Sequence, residues 1–333
     1  MMQKEGIEKQ VLHTGETRGR LTKEHRRLML LKRTGLFGTN IFGAEITRAC
    51  LPKDLREAYR LVYDVFLDAG YVTPNECKMR IRTFDAIPDT ATFIARREGK
   101  VIGVLSMVVD YPDLGLPSDE LFKKEVDAIR SSGMRLCEST NLAMIPIFRK
   151  TTITTQLMQC GCAQALMDDR DGIIISVGIS HTGFYKLMGF QQMSEVRSYS
   201  PSCYDPVVMM LMDMIQLKKK DPNWDSCQGF VSDYLSFENP FVGKVDQWRQ
   251  EARRQFFETD QLQKLFLVES GLLARCTNAE REAIRKNWGE GTYISVMDTA
   301  KSRHNPRSVG NKKPLTAPTA HATDQQLGQS NGS

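Results

Sequence analysis

The spacing of apolar residues changes along the chain, and each change predicts a structural element. Leu55, Tyr59, Val62 and Phe66 recur at helical spacing after Pro52, which suits a first helical turn. The predicted elements, in chain order, are a strand at 44–50, a helix at 52–70, a hairpin of 91–97 and 101–110, a helix at 118–130, a strand at 134–143, a helix from 151, a strand at 173–177, a helix at 182–188 and paired strands at 190–199 and 207–214.

This order of elements predicts a mixed sheet flanked by helices, of the α/β or α+β class. Beyond residue 220 strand alternation ends and helical patterns continue. Few large apolar residues follow Ala300, which is typical of a disordered tail. We therefore expect four regions along the chain: an arm at 1–43, a sheet domain at 44–220, a helical appendage at 221–298 and a tail at 299–333.

The composition is that of a globular protein and argues against several other classes. Apolar residues make up 41% of the chain and charged residues 26%, an ordinary globular balance. The net charge of +5 is too small to indicate a nucleic-acid partner, and the eight cysteines form no C-x-x-C pair, so we expect neither a metal site nor a disulfide framework. The N-terminal sequence lacks a signal peptide's apolar core, which favours the cytoplasm.

Basic residues concentrate in the N-terminal arm. Seven Arg or Lys residues and one acid, Glu24, lie between Arg18 and Arg33. Such a segment suits an acidic partner, either an acyl carrier protein or an anionic membrane surface that it would contact peripherally. A solvated arm without a partner is the alternative.

Four stretches carry a resemblance to a known family. They are YRLVYDVFLDAGYV at 59–72, LGLPSDELFKKEVDAIR at 114–130, RLCESTNLAMIPIFR at 135–149 and FYKLMGF at 184–190. Together they resemble the GNAT superfamily of acyltransferases, and within it the long-chain N-acyl amino acid synthases. The resemblance implies a GNAT-like mixed, mostly antiparallel sheet. It also implies transfer of an acyl group from a thioester to an amine.

One departure from the superfamily bears on the donor. Acetyl-CoA-dependent members have a glycine-rich loop after the central strand, where backbone N–H groups hold the pyrophosphate. Residues 148–153, FRKTTI, contain no glycine here. The resemblance therefore implies the acyl-phosphopantetheine of an acyl carrier protein as donor, with Arg149 and Lys150 contacting the acidic carrier and no tightly bound cofactor.

The resemblance also implies catalytic residues. Glu138 would take a proton from the ammonium of the acceptor, and Tyr185 would protonate or hydrogen-bond the leaving sulfur. Asn141 and Leu142 occupy the place where family members splay the strand and free a backbone N–H for the thioester carbonyl. A carboxylate paired with arginine and a buried aromatic are the alternatives for Glu138 and Tyr185.

Substrate-binding residues follow from the same reaction. An amino acid acceptor brings a carboxylate, which favours an arginine fork, and Arg82, on one face with Arg80 in an extended segment, is the candidate. Further candidates are Leu105 and Met107 for an acyl tunnel, Ala143 beside the splayed strand, and His181, either a base or a local hydrogen-bonding group.

The resulting hypothesis is an N-acyltransferase that moves a long acyl chain from an acyl carrier protein to the amine of an amino acid. Two alternatives stay open. One is a synthase of acyl-homoserine lactone signals, and the other is a non-catalytic protein that binds an acyl carrier or lipid.

Overall fold

A computed structural model describes residues 26, 29–30, 32–38, 42–199, 205–223, 226–254 and 257–303. Most of the predicted arm and most of the predicted tail lie outside the described residues, and the four-region division stays a prediction. No helix in these ranges is long and apolar enough to cross a membrane.

Seven strands form one sheet in the order β1-β2-β3-β4-β5-β7-β6. Only β4 and β5 pair in parallel, so the sheet is mixed and mostly antiparallel, as predicted. The strands are β1 (Glu45–Arg48), β2 (Ala91–Arg97), β3 (Lys100–Val109), β4 (Leu136–Met144), β5 (Gly172–Gly178), β6 (Gln191–Gln192) and β7 (Val207–Asp213).

Helices cover both faces of the sheet. Those within the sheet domain are α1 (Pro52–Asp68), α2 (Asp119–Ser131), α3 (Thr152–Met167), α4 (Thr182–Leu187) and α5 (Met214–Lys219). Short 3-10 turns span Thr83–Ala86, Pro146–Phe148 and Ile179–His181. Helices α1 and α2 pack on one face and α3 on the other, so α3 lies deep in the protein and buries twelve of its sixteen residues.

The described residues between 226 and 303 are mostly helical, as predicted. Its elements are α6 (Ser226–Ser232), α7 (Val242–Arg254), α8 (Thr259–Leu262), α9 (Leu272–Arg275), α10 (Asn278–Trp288) and α11 (Glu290–Arg303), with π-helical turns at Asp233–Phe237 and Gln263–Glu269. Phe266 and Ile284 share an apolar cluster with Tyr59 and Val62 of α1, while Leu235 and Val245 join the cluster around α3. The C-terminal helices therefore share the apolar core of the sheet.

One predicted strand is shorter than expected. The alternation over 190–199 yields only Gln191–Gln192 and an isolated bridge at Arg197. Ser194 explains the interruption, because its hydroxyl accepts the backbone N–H of Met209 at 2.8 Å, a bond that the ladder would otherwise make.

Candidate active site

A cleft opens where β4 and β5 separate. The two strands pair at Leu136, Cys137 and Glu138, and β4 then continues to Met144 without further pairing to β5. On its other side, the register with β3 places Thr140 opposite Ser106 and Ala143 opposite Val104, so β4 carries one extra residue. This β-bulge bends β4 away from β5.

Asn141 forms the bulge and organises the cleft. Its φ is +56°, a left-handed conformation that asparagine tolerates better than most residues. Its side chain, 2% exposed, donates to Ser106 Oγ at 3.3 Å and accepts from Arg80 Nη1 at 2.6 Å. The predicted splay thus lies at Asn141 and Leu142, and their role as carbonyl donors stays a prediction.

Glu138 is the last β4 residue paired with β5, at the apex of the cleft. Its side chain is 2% exposed, and Oε2 accepts the backbone N–H of Ser118 at 2.7 Å. Burial raises the pKa of Glu138 to about 7, while the Ser118 hydrogen bond and the charge of Arg82 act to lower it. No cation lies within ion-pair distance of this carboxylate among the described side chains. A carboxyl group titrating near neutral pH is suited to general-base work.

Two arginines, Arg80 and Arg82, meet at the bulge of β4, and the charge of Arg82 also acts on Glu138. Arg82 Nη2 donates to Thr140 Oγ1 at 3.2 Å and approaches Asn141 Oδ1 at 3.5 Å, the oxygen that Arg80 also contacts. Neither guanidinium has an ion-pair partner in the described part of the chain, and Arg82 Nε is buried without a hydrogen-bond partner. Burial and the charge of Arg82 lower the pKa of Arg80 to about 9, so Arg80 remains cationic at neutral pH. The arrangement suits an incoming carboxylate.

Tyr185 lies on the α3 side of the sheet. Its ring packs edge-on against Phe184, with centroids 5.3 Å apart, and against Phe190 at 5.5 Å. Burial raises the pKa of Tyr185 to about 12, so the hydroxyl keeps its proton at neutral pH. Both the acid role and the buried-aromatic alternative fit this packing, and the catalytic role stays a prediction.

His181 belongs to a short polar chain beyond β5. Ser180 Oγ donates to Asp205 Oδ2 at 2.7 Å and lies 2.6 Å from His181 Nδ1. With the serine proton directed at Asp205, Nδ1 carries the donated hydrogen and Nε2 is left as an acceptor. His181 thus has a local hydrogen-bonding contact, and its roles as a structural group, a base or a substrate contact stay predictions.

The structure places the remaining predicted substrate residues in packed regions. Leu105 and Met107 face α3 so closely that a Cβ on Gly161 would lie 3.0 Å from Met107 Sδ and 3.2 Å from Leu105 Cδ2. Ala143, 1% exposed, packs on the α1 side of the sheet. Leu105 and Met107 therefore pack in the core against α3, and their role in an acyl tunnel stays a prediction.

Arg149 and Lys150 lie at the start of α3, on the surface. Arg149 Nε donates to Met144 O at 3.3 Å, and Lys150 is exposed with a φ of +60°. Ile147, 78% exposed, adjoins them, and Arg97 stacks over Phe148 with its guanidinium carbon 5.6 Å from the ring centroid. The surface combines positive charge with an apolar residue, as a docking site for an acidic partner would.

Sequence reasoning missed three polar members of the cleft. Ser118 Oγ lies 2.8 Å from Ser176 Oγ, and Ser176 contacts the hydroxyl of Tyr199, whose pKa is raised by burial and by the charge of Glu138. Ser118 was interpreted only as a helix start. No local pattern could have paired it with Glu138, which lies twenty residues further along the chain.

The sheet, its bulged β4 and the cleft beside β5 define an acyltransferase of the GNAT type. Residues 57–213 match the family model described as the N-acyl amino acid synthase FeeM, so this part of the chain is similar to that family. The protein is an N-acyltransferase.

Solved structures share the fold. FeeM, an N-acyl amino acid synthase from uncultured soil microbes, is 24% identical over 52% of this chain and 92% of its own, with a TM-score of 0.46. The AHL synthase LasI is 14% identical over 51% and 89%, with a TM-score of 0.41. BjaI, a CoA-dependent acyl-homoserine lactone synthase, is 13% identical over 62% and 100%, with a TM-score of 0.43. A search of curated proteins finds no match.

Proposed function

We propose that the protein transfers a long acyl chain from an acyl carrier protein thioester to the amine of an amino acid. The observation that carries the amino acid acceptor is the pair Arg80 and Arg82, two cations without ion-pair partners among the described residues, beside the buried carboxyl of Glu138. A carboxylate held by these guanidiniums would bring the α-amine, two bonds away, towards Glu138.

The reaction balances with these groups. Glu138 takes a proton from the bound ammonium, and the free amine then attacks the thioester carbonyl. The carbon–sulfur bond breaks as the amide forms, and Tyr185 donates its proton to the departing thiolate. The attacking nitrogen loses its second proton as the amide forms, and that proton passes through solvent to the phenolate, while Glu138 releases the first one to solvent. Backbone N–H groups at the bulge of Asn141 would polarise the carbonyl oxygen.

The carrier protein donor is supported by the segment that begins α3. Residues 148–153 lack the glycines that allow a pyrophosphate to approach the backbone closely. At Lys150 the backbone has the positive φ that glycine favours, but the residue carries a side chain. The exposed Ile147 and the two cations that follow suit an acidic carrier. Donors differ within this fold, since BjaI is described as CoA-dependent. A carrier protein donor would place the reaction in the cytoplasm.

The donor prediction is tested with matched thioesters. Purified enzyme should use a long-chain acyl carrier protein at least about tenfold better, in kcat/KM, than the same chain on CoA, because only the carrier contacts the basic surface. Acetyl-CoA should be poorer still. Equal turnover with all three donors would contradict the assignment. Mass spectrometry of the products separates an open N-acyl amino acid from the lactone that a signal synthase would release.

The docking prediction concerns Arg149 and Lys150. Changing both to glutamate should raise the KM for the acyl carrier protein about tenfold or more at low salt and less at high salt, because ions screen exposed charges. The change Lys123→Glu with Lys124→Glu, at two exposed neighbours on α2, is the matched control. An equal rise in KM in both double variants would show that overall charge is responsible and not this surface.

A further inference from the structure

A second cavity lies away from the cleft, between the sheet and the C-terminal helices. Its volume is about 540 Å³. Arg48 at the end of β1 and Arg170 just after α3 line one side, and Arg249 of α7 with Trp288 of α10 line the other. None of the residues placed in the active-site cleft lines it.

Each carboxylate of this cavity already has its own donor. Asp168 accepts from Arg249 Nη2 at 2.7 Å and from Gln164 Nε2 at 2.6 Å. Asp169 is held by Arg135, and Asp89 accepts the hydroxyl of Tyr111. None of these carboxylates therefore lies within ion-pair distance of Arg48 or Arg170 in the part of the chain that the structure describes.

Among the described residues that line the cavity, Arg48 and Arg170 are the cations that no carboxylate contacts directly, although the charges of Asp168 and Asp89 act on Arg48. Neither forms an ion pair within the described ranges, and the one hydrogen bond of the Arg48 side chain is a 3.5 Å contact to Thr90 O. Arg170 Nε, a donor, is buried without a hydrogen-bond partner. Burial lowers the pKa of Arg48. Unpaired guanidiniums in a partly desolvated cavity are unfavourable unless an anion joins them.

We propose that this cavity binds a compact organic or inorganic dianion, with Arg48 and Arg170 as its principal ligands. Two guanidiniums without a direct ion pair each offer N–H donors in a planar fork, which a phosphate group or a dicarboxylate matches. The ligand would join β1 and the end of α3 on one side to α7 and α10 on the other. Its binding would stabilise the attachment of the C-terminal helices to the sheet.

The test is a titration of the full chain with sodium phosphate and, separately, sodium succinate, followed by calorimetry and thermal unfolding at constant ionic strength. Binding of at least one dianion should raise the melting temperature by about 5 °C at a hundredfold excess over Kd. Arg170→Gln and Arg48→Gln should each weaken binding about 10- to 100-fold, the worth of a charged hydrogen bond. Arg60→Gln, at an exposed position on α1, is the matched control and should bind normally.

Binding of phosphate alone would identify a phosphate-bearing ligand, and binding of succinate alone a dicarboxylate. The absence of binding by both anions, or equal binding by Arg170→Gln and the wild type, would overturn the proposal. Without anions, Arg170→Gln should be at least as stable as the wild type, because an unpaired charge is removed. Should Arg170→Gln fail to fold, Arg170→Lys replaces it, because lysine keeps the charge and loses the planar fork. Unchanged anion affinity in both single variants, Arg170→Lys and Arg48→Gln, would then overturn the proposal. No step of this test depends on acyl transfer.

Discussion

Replacing Glu138 by glutamine is expected to slow acyl transfer by roughly 10²- to 10⁴-fold, the usual worth of a positioned proton transfer. The amide keeps the shape of the side chain and can still accept the N–H of Ser118. The loss should therefore appear in kcat, measured with saturating acyl donor and amino acid, while the KM for the donor stays the same. Glu45→Gln, at an exposed position on β1, makes the same chemical change away from the cleft and should leave the rate unchanged.

The pH profile separates a general base from a structural carboxylate. With a pKa of about 7, Glu138 is protonated and inactive as a base in acid, so kcat/KM of the wild type should rise up to about pH 7. Glu138→Gln should lose this inflection, and its rate should keep rising with pH as more acceptor amine is deprotonated. A variant with near-normal rate at neutral pH would remove Glu138 from the mechanism and make His181 the next base to test.

The stability of the same variant provides an independent check. Because the pKa of Glu138 is raised from 4.5 to about 7, the folded state favours the protonated form. Ionisation therefore begins to cost stability above pH 4.5, and the cost is complete above about pH 7. Glu138→Gln avoids that cost, which is on the order of 3 kcal/mol at most. The variant should match the wild type near pH 4 and exceed its free energy of unfolding at pH 8, whereas a loss of stability would indicate a structural role.

The fold was predictable because its elements are locally encoded. The hairpin of β2 and β3 follows from two β-branched runs around Gly99, and α1 follows from its proline and apolar spacing. The length of β6 was overestimated, because the side chain of Ser194 replaces a hydrogen bond of the strand ladder. The alternation of apolar and polar residues does not reveal such competition. The shared core of the C-terminal helices was also missed, because it consists of contacts between residues about two hundred positions apart.

The candidate site was predictable only in part, for a related reason. Glu138 and Arg82 were found through a family resemblance and a chemical requirement, and the structure brings both to the same cleft. The contribution of Ser118 and the sharing of Asn141 by two arginines depend on loops that meet in three dimensions. For Leu105 and Met107 the sequence does not distinguish a tunnel from a core, because an apolar strand face has the same pattern whether it lines a tunnel or packs against a helix.

Changing Arg82 to lysine is expected to raise the KM for the amino acid about 10- to 100-fold. Lysine keeps the positive charge but loses the planar fork that pairs with a carboxylate through two hydrogen bonds. The KM for the acyl donor should not change, because the proposed contacts of the donor are with Arg149 and Lys150 and not with Arg82. Initial rates with each substrate varied in turn measure the two constants, and Arg60→Lys on exposed α1 is the matched control.

An amino acid amide distinguishes carboxylate binding from support of the bulge. The wild type should prefer the free amino acid over its amide, and Arg82→Gln should lose most of that preference, since only the carboxylate contact depends on the guanidinium. Arg82 also donates to Thr140, so a purely structural role would slow both acceptors equally and lower the melting temperature. An unchanged ratio of kcat/KM for the two acceptors would therefore exclude Arg82 as the carboxylate ligand and transfer that role to Arg80, whose guanidinium contacts the same Asn141 oxygen at 2.6 Å.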